Sequence, residues 1–582
     1  MLPSRVLLAL GVTSVVAWAG CLPDSDPSGT GGGSGAAGAS GTAGSGGSAG
    51  AAGSGGASGT GGAGGVGGTV GGSGGSAGTS GTGGSDGGVS GAGGVGGWPG
   101  EGPEIITAGD TTRYLLRGTV VTPDTAFSGE VLTQSNMITC VADSCAAEPG
   151  AAGATVIDTH GMIFPGMIDA HNHILYDVFD ESDWKPKQLY QNHNQWTQEP
   201  EYKAMQACYN YLLDSTTATP PGVNLDCEVL KYGELKALIS GTTSVLGEPK
   251  GSAMKCYASL ARSIDGSFND LPDSQRIGPC MGAPPDTFTQ APPDNDHIQV
   301  SALGLPDSTT IDGVRQNFRD CKTWSYVVHV GEGVQGNTSA YQEWTDTKTA
   351  ALDVPQMTII HGTSLGLADF QYMADKGMKL VWSPKSNMFL YGQTTRIDLA
   401  RQVTPKLTIA LGPDWSMGGS VNLLDELNYA YQLDQDQWGG VLTTKDLVDM
   451  VTIDAAKAIE VQDQLGSLEP GKLADLMVVS GDVNAPYDAL VHARTNAIRM
   501  VMVNGAVLYG DAYLAPVASL PDCEALDVCG TSRFVCVKEQ STADKLNQTY
   551  GEIVSAISEA LQSYDTAHGT QFSPIAPLVK CP

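Results

Sequence analysis

Between Gly29 and Gly100 the chain holds 37 glycines, and nearly everything between them is Ala, Ser or Thr. Such a stretch buries too little apolar surface to offset the entropy of ordering its backbone, so residues 22–100 are expected to form a disordered, flexible tether. Folding therefore starts near residue 101. The part from there to residue 582 is too long for one small domain and suits a large barrel or sheet with a satellite domain. Within it, from Gly161 to about Leu465, apolar runs alternate with longer helical stretches. MIFPGMIDAHNH, TTSVLG, YVVHV, MTIIH, KLVWSP and LTIALGPD each end on or near a polar or small residue. Buried parallel strands have this texture, and its repetition predicts an α/β fold, a (β/α)8 TIM-like barrel over residues 161–465. In that architecture the residue closing each strand faces the functional mouth.

The flanks read differently. From Thr111 to Thr159, short β-branched runs are broken by Gly, Pro and Asp turns, and after the barrel LADLMVVSG, AIRMVMVNG and AVLYG return to β alternation. Residues 101–160 and 466–515 are thus expected to be the two parts of one small β-sandwich. Residues 516–582 form a Cys-containing extension whose amphipathic stretch, Ala543 to Tyr564, is expected to cap the surface. The insertion from Ile174 to Val229, with Trp184, Tyr190, Trp196 and Tyr202, is too long for a simple strand-to-helix connection. It reads equally as a lid over the site and as a disulfide-stapled decoration.

Arg5, the apolar run Val6 to Trp18 and then Ala19-Gly20-Cys21 make residues 1–21 an export signal. A cysteine directly after small residues resembles the lipobox of bacterial lipoproteins. That resemblance implies a lipid on Cys21 as the chain's one membrane attachment and a place at the cell envelope, on the outer membrane or cell surface or at the periplasmic face. An ordinary secretory signal or a single anchor helix is the alternative, although the apolar run is short of the ~20 residues a spanning helix needs. Twelve cysteines, with the neighbours Cys140 and Cys145, Cys208 and Cys227, and Cys256 and Cys280, fit an oxidising destination. With Cys21 set aside their number is odd, which leaves at least one thiol unpaired. The 62 acidic against 31 basic side chains give a net charge of −31, which excludes nucleic acid and anionic membrane surfaces as partners.

His171-Asn172-His173 is the strongest chemical signal. Alternation along a strand sends residues i and i+2 to one side, so both imidazoles can reach one ion. His329 closes YVVHV, His361 closes MTIIH and Asp414 follows LTIALGP, so four of the nine histidines and one carboxylate fall at predicted strand ends. Taken singly, each is as well explained by a hydrogen-bonded loop residue or a turn former. Glu332 lies three residues beyond His329, and Gly331 and Gly333 mark a strand leaving into a loop rather than a helix. There a carboxylate can carry protons to and from a reacting group, or simply be solvated.

The run PGMIDAHNH, the ordered set that follows it and SPKSN at Ser383 to Asn387 resemble the amidohydrolase superfamily, and within it the mononuclear deaminase and chlorohydrolase branch. The resemblance covers roughly residues 104 to 512, including GSLEPGKLADLMVV at Gly466 to Val479. It implies one divalent ion, zinc or alternatively iron(II), held by His171, His173, His329 and Asp414. It implies also that Asp414 accepts a proton from water, that Glu332 shuttles protons and that His361 steadies the developing oxyanion. Binuclear members bridge their metals with a carboxylated lysine, and no lysine occurs from Tyr257 to Cys321. The implied partner is a small molecule attacked at a non-peptide C–N bond. Deamination of a heterocyclic or amidine-like substrate comes first, and amide or cyclic amide cleavage is the alternative. A catalytically inactive surface binding lipoprotein and a binuclear hydrolase with another bridge are the competing classes. Gly331 to Gly336 matches G-x-G-x-x-G, and Gly466 to Leu473 approaches a P-loop but lacks its hydroxyl residue, so neither supports a nucleotide cofactor. Nothing in the sequence fixes the oligomeric state.

Overall fold

The computed structural model describes residues 102–213, 222–248, 256, 260–265, 271, 298–301, 304–320, 322–539 and 547–581. The export signal with Cys21, the glycine-rich segment and most of the lysine-free span lie outside the described residues. No helix among the described residues is long and apolar enough to cross a membrane.

Eight short parallel strands carry the α/β part. Met167–Asp169, Thr242–Val245 and Arg262–Ser263 form one sheet. Ile298–Ser301, Ser325–Val330, Met357–His361, Lys379–Trp382 and Thr408–Leu411 form a second, paired in chain order. Most of their residues are buried on both faces, as strands flanked by helices must be. Ile168, Leu246, Ile264, Ile298, Val327, Ile360, Val381 and Ala410, one from each strand or the residue just past it, pack in a single apolar cluster. The first and eighth strands meet along a seam, where the Ala170 N–H donates to the Leu411 carbonyl at 3.3 Å and the Asp414 N–H donates to the His171 carbonyl at 3.0 Å. The closed cylinder expected from the alternation is not completed among the described residues. The third strand is only two residues long, and no ladder there joins it to the fourth.

The flanking segments come together, but in one ten-stranded sheet rather than a sandwich. The reason is the twelve-residue strand Ala154–Pro165, long enough to serve three neighbours. Asp110–Val121 runs parallel to it, while Glu104–Thr107 and Leu476–Val479 pair antiparallel with its first and last parts. The C-terminal extension does more than cover a surface. Its hairpin Glu524–Val528 and Thr531–Val535 continues the sheet beyond Ala506–Asp511. Helix Tyr550–His568 starts later than the amphipathic pattern suggests because Thr549 and Glu552 form a capping box. Its Ile553, Ile557, Leu561 and Tyr564 are buried at helical spacing.

Disulfides join Cys140 to Cys145, Cys227 to Cys256, Cys523 to Cys536 and Cys529 to Cys581. Cys227 therefore pairs with Cys256 and not with its neighbour Cys208, which is free and buried in the core. Cys280 and Cys321 lie outside the described residues.

Candidate metal centre

Strand geometry brings the four sequence-selected donors to one point. His171 and His173 leave the first strand, His329 lies in the fifth, and Asp414 follows the eighth. One ligand atom from each falls within 4.8 Å of all the others. Asp414 Oδ1 lies 3.1 Å from His171 Nε2 and 3.3 Å from His173 Nε2. Asp414 is locked by more than its side chain: its backbone carbonyl accepts the His173 N–H at 2.5 Å, and Ser386 Oγ donates to its Oδ2. Its φ of +73°, like the +67° of His361, is rare for a non-glycine residue and turns the side chain over the strand ends.

The donors fit a divalent cation by their own chemistry. His329 Nδ1 donates to the Ser301 carbonyl at 3.0 Å, which leaves the lone pair on Nε2, and that buried nitrogen has no hydrogen-bond partner. Burial, helped by the neighbouring imidazoles, holds His171 well below its ordinary pKa and brings His329 down to about 4. Both are therefore neutral, as metal ligation requires. Burial also pulls on His173, but the carboxylates of Glu248, Asp414 and Glu332 outweigh it and raise the group to about 9. The same field favours a cation among the four donors. Three imidazole nitrogens and one carboxylate oxygen make a set suited to zinc.

Glu332 and His361 stand beside the donors, with Glu332 Oε1 3.9 Å from His361 Nε2. Asn387 fixes the tautomer of His361. Its Oδ1 faces the Thr394 and Thr395 hydroxyls, so its Nδ2 donates to His361 Nδ1 at 2.9 Å and the ring proton sits on Nε2, toward Glu332. Asn387 and Ser386 belong to the SPKSN segment, which opens helix Pro384–Tyr391.

Three participants escaped the sequence reading. Tyr391 donates to Glu332 Oε1 at 2.5 Å and accepts from Trp196 Nε1 at 2.9 Å. Burial and the Glu332 charge hold this phenol well above its ordinary pKa, so it remains a donor. His193 lies between two carboxylates, with Nδ1 3.3 Å from Glu332 Oε2 and Nε2 2.8 Å from Glu343 Oε1. Burial opposes its charge, yet the two carboxylates raise it to about 10, which makes it an imidazolium at neutral pH. Glu248, after the second strand, is 3.4 Å from His173 Nδ1. The only signal for His193 was a further histidine in the insertion. That insertion lies directly against the Glu332 loop: Val334 N–H donates to the Gln191 carbonyl at 2.9 Å, and Asn192 pairs with Gly333. Its aromatic residues pack toward the four donors, with the Trp196 ring 5.3 Å from Trp415 and Trp415 6.2 Å from His173.

Residues 308–508 match the model of the amidohydrolase family. The chain is similar to a 5-methylthioadenosine/S-adenosylhomocysteine deaminase of Teredinibacter turnerae, 32% identical over 24% of this chain and 33% of that protein. It is also similar to a 5'-deoxyadenosine deaminase of Methanothermobacter thermautotrophicus, 22% identical over 71% of this chain and 93% of that protein. The first of the curated relatives are matched over 33% to 42% of their length. Among solved structures, an adenosine deaminase from Xanthomonas campestris with bound zinc superposes with a TM-score of 0.54 at 14% identity, over 78% of this chain and 98% of that one. At that identity the likeness is one of fold alone.

Proposed function

We propose that this protein is a metal-dependent hydrolase that deaminates a heterocyclic or amidine-like small molecule. The observation that carries the reading is Glu332 Oε1, 3.9 Å from His361 Nε2, beside four donors whose ligand atoms lie within 4.8 Å of one another. His171, His173, His329 and Asp414 would hold the ion, zinc first and iron(II) second. A divalent cation bound there supplies Lewis acidity and makes a coordinated water acidic near neutral pH. The names of the relatives, deaminases of modified adenosines, point to the same chemistry.

The chain's own groups divide the proton work. Asp414 Oδ1, already between two imidazoles, takes a proton from the attacking water as its oxygen bonds to the sp² carbon. Glu332, in its acid form, protonates the ring nitrogen as the C=N electron pair moves onto it; its carboxylate then takes the remaining hydroxyl proton as the carbon–oxygen double bond forms, while Asp414 passes its proton to the departing amine, the C–N bond breaks and ammonia leaves. His361 holds its Nε2 proton toward the developing oxyanion, with Asn387 behind it keeping that tautomer. The inserted segment and its aromatic residues exclude bulk water from this chamber, in which His171, His329, His361, Glu332 and Asp414 are all buried.

Two measurements test the reading. Elemental analysis of protein purified without added metal should give near one ion per chain; two ions would mean a binuclear site, and none would favour a binding protein. A panel of heterocyclic amines and acylated amino acids, assayed for released ammonia or free amine, should release ammonia from the former. Amine release from the latter alone would replace deamination with amide hydrolysis.

We infer also that the chain is exported and lipidated at Cys21. The signal-like N-terminus and the four disulfides among the described residues support this, since such bonds persist in oxidising compartments. Radiolabelled palmitate should enter the wild-type chain and not a Cys21→Ser variant.

A further inference from the structure

His173 is engaged through both ring nitrogens. Its Nε2 faces Asp414 Oδ1 at 3.3 Å, on the side of the other donors, and its Nδ1 faces Glu248 Oε2 at 3.4 Å. The two nitrogens of an imidazole point in opposite directions, so a carboxylate at Nδ1 lies behind the ring and cannot also ligate an ion at Nε2. Glu248 is thereby placed to act through His173 rather than as a metal bridge.

Its position is built, not incidental. The φ of Glu248 is +53°, uncommon for a residue with a side chain. Asp265, just past the third strand, braces that turn: its carboxylate accepts the Gly247 N–H at 3.1 Å and the Glu248 N–H at 2.9 Å. Glu248 keeps only 17% of its side chain exposed, and its Oε1 is buried without a hydrogen-bond partner. The other two imidazoles lack such backing. His329 rests on a neutral carbonyl, and His171 Nδ1 has no hydrogen-bond partner. Among the described residues, only His173 of the three imidazoles has a carboxylate behind its ring.

We propose that Glu248 is a positioning residue that orients His173, makes its Nε2 a stronger donor and so sets the affinity of the four-donor site for a divalent cation. The proposal rests on the metal reading above and concerns a different residue, so the two can fail separately.

The test uses the folded full chain, stripped with a chelator and titrated with zinc(II) against a chromophoric competitor. Glu248→Ala should bind zinc about 10- to 100-fold more weakly than wild type, the usual cost of removing such a partner. Glu248→Gln keeps an acceptor for the Nδ1 proton but loses the charge, and should fall between the two. Cobalt(II) substitution supplies a second readout, because a changed donor strength at His173 should shift the visible absorption bands of Glu248→Gln relative to wild type. Zinc affinity within twofold of wild type and an unchanged cobalt spectrum in a folded Glu248→Gln would overturn the proposal, whatever the fate of the alanine variant. A wild-type chain that takes up no zinc would overturn the metal reading, and this assignment with it.

Discussion

The donor cluster and the surroundings of Glu332 lie side by side at the ends of the parallel strands but are assembled by opposite means. His171, His173, His329 and Asp414 stand at strand ends, where backbone bonds such as Asp414 N–H to the His171 carbonyl fix their spacing. Glu332 is gripped instead by side chains from elsewhere, His193 from the inserted segment and Tyr391 from the helix after the seventh strand. The proposed coordination thus depends on strand register, while the proposed proton handling depends on side chains from the inserted segment and the helix after the seventh strand. The second can be altered while the first stays intact.

Substitutions should separate the two. Asp414→Asn belongs to the donor side and should bring ammonia release below detection while circular dichroism and most of the bound metal persist; full activity would remove Asp414 from the chemistry. Glu332→Gln should cost about 10²-fold or more in kcat, the scale of a positioned proton carrier, with metal content unchanged. Loss of the metal together with the rate in that variant would merge the two regions into one.

His193→Gln tests the grip from the insertion. Removing one partner of a buried charge pair costs about 3–5 kcal/mol, so both thermal stability and kcat should fall while one ion per chain remains. The pH dependence of stability sharpens the assignment. The folded pKa of His193, about 10, lies above the ordinary 6.5. Its contribution is therefore complete below about pH 6.5 and is lost as pH rises through about 10. The melting temperature of wild type should decline across that window more steeply than that of His193→Gln; parallel curves would show that His193 is not charged between its carboxylates. Tyr391→Phe should have the smallest effect. It loses the bond accepted from Trp196 Nε1, which bears on stability, and the one donated to the Glu332 carboxylate, worth about 1.5–3 kcal/mol, so kcat should drop by about tenfold with metal affinity untouched.

This division also explains which parts of the site were legible. His171 and His173 could be found because a strand's two-residue period places them on one side, and His329, His361 and Asp414 because each closes an apolar run. His193, Tyr391 and Glu248 have no such period. His193 meets Glu332 only because Gln191 and Asn192 dock on residues 333–334, a long-range pairing that local pattern does not encode. In the satellite sheet the β alternation was readable, but its layering was not. The length of Ala154–Pro165 decides it, since one strand accepts partners from both ends of the chain and makes a single sheet where two were expected. Cys208 shows the same limit: an odd count announces a free thiol, and only packing says which.

Trp415 follows Asp414 directly, and its ring lies 5.3 Å from Trp196 and 5.8 Å from Trp184. Three indoles are thus wired to the ion site through a single peptide bond, giving the molecule a built-in optical gauge. Cation arrival and movements of the inserted segment should both register in its ultraviolet emission without any added dye.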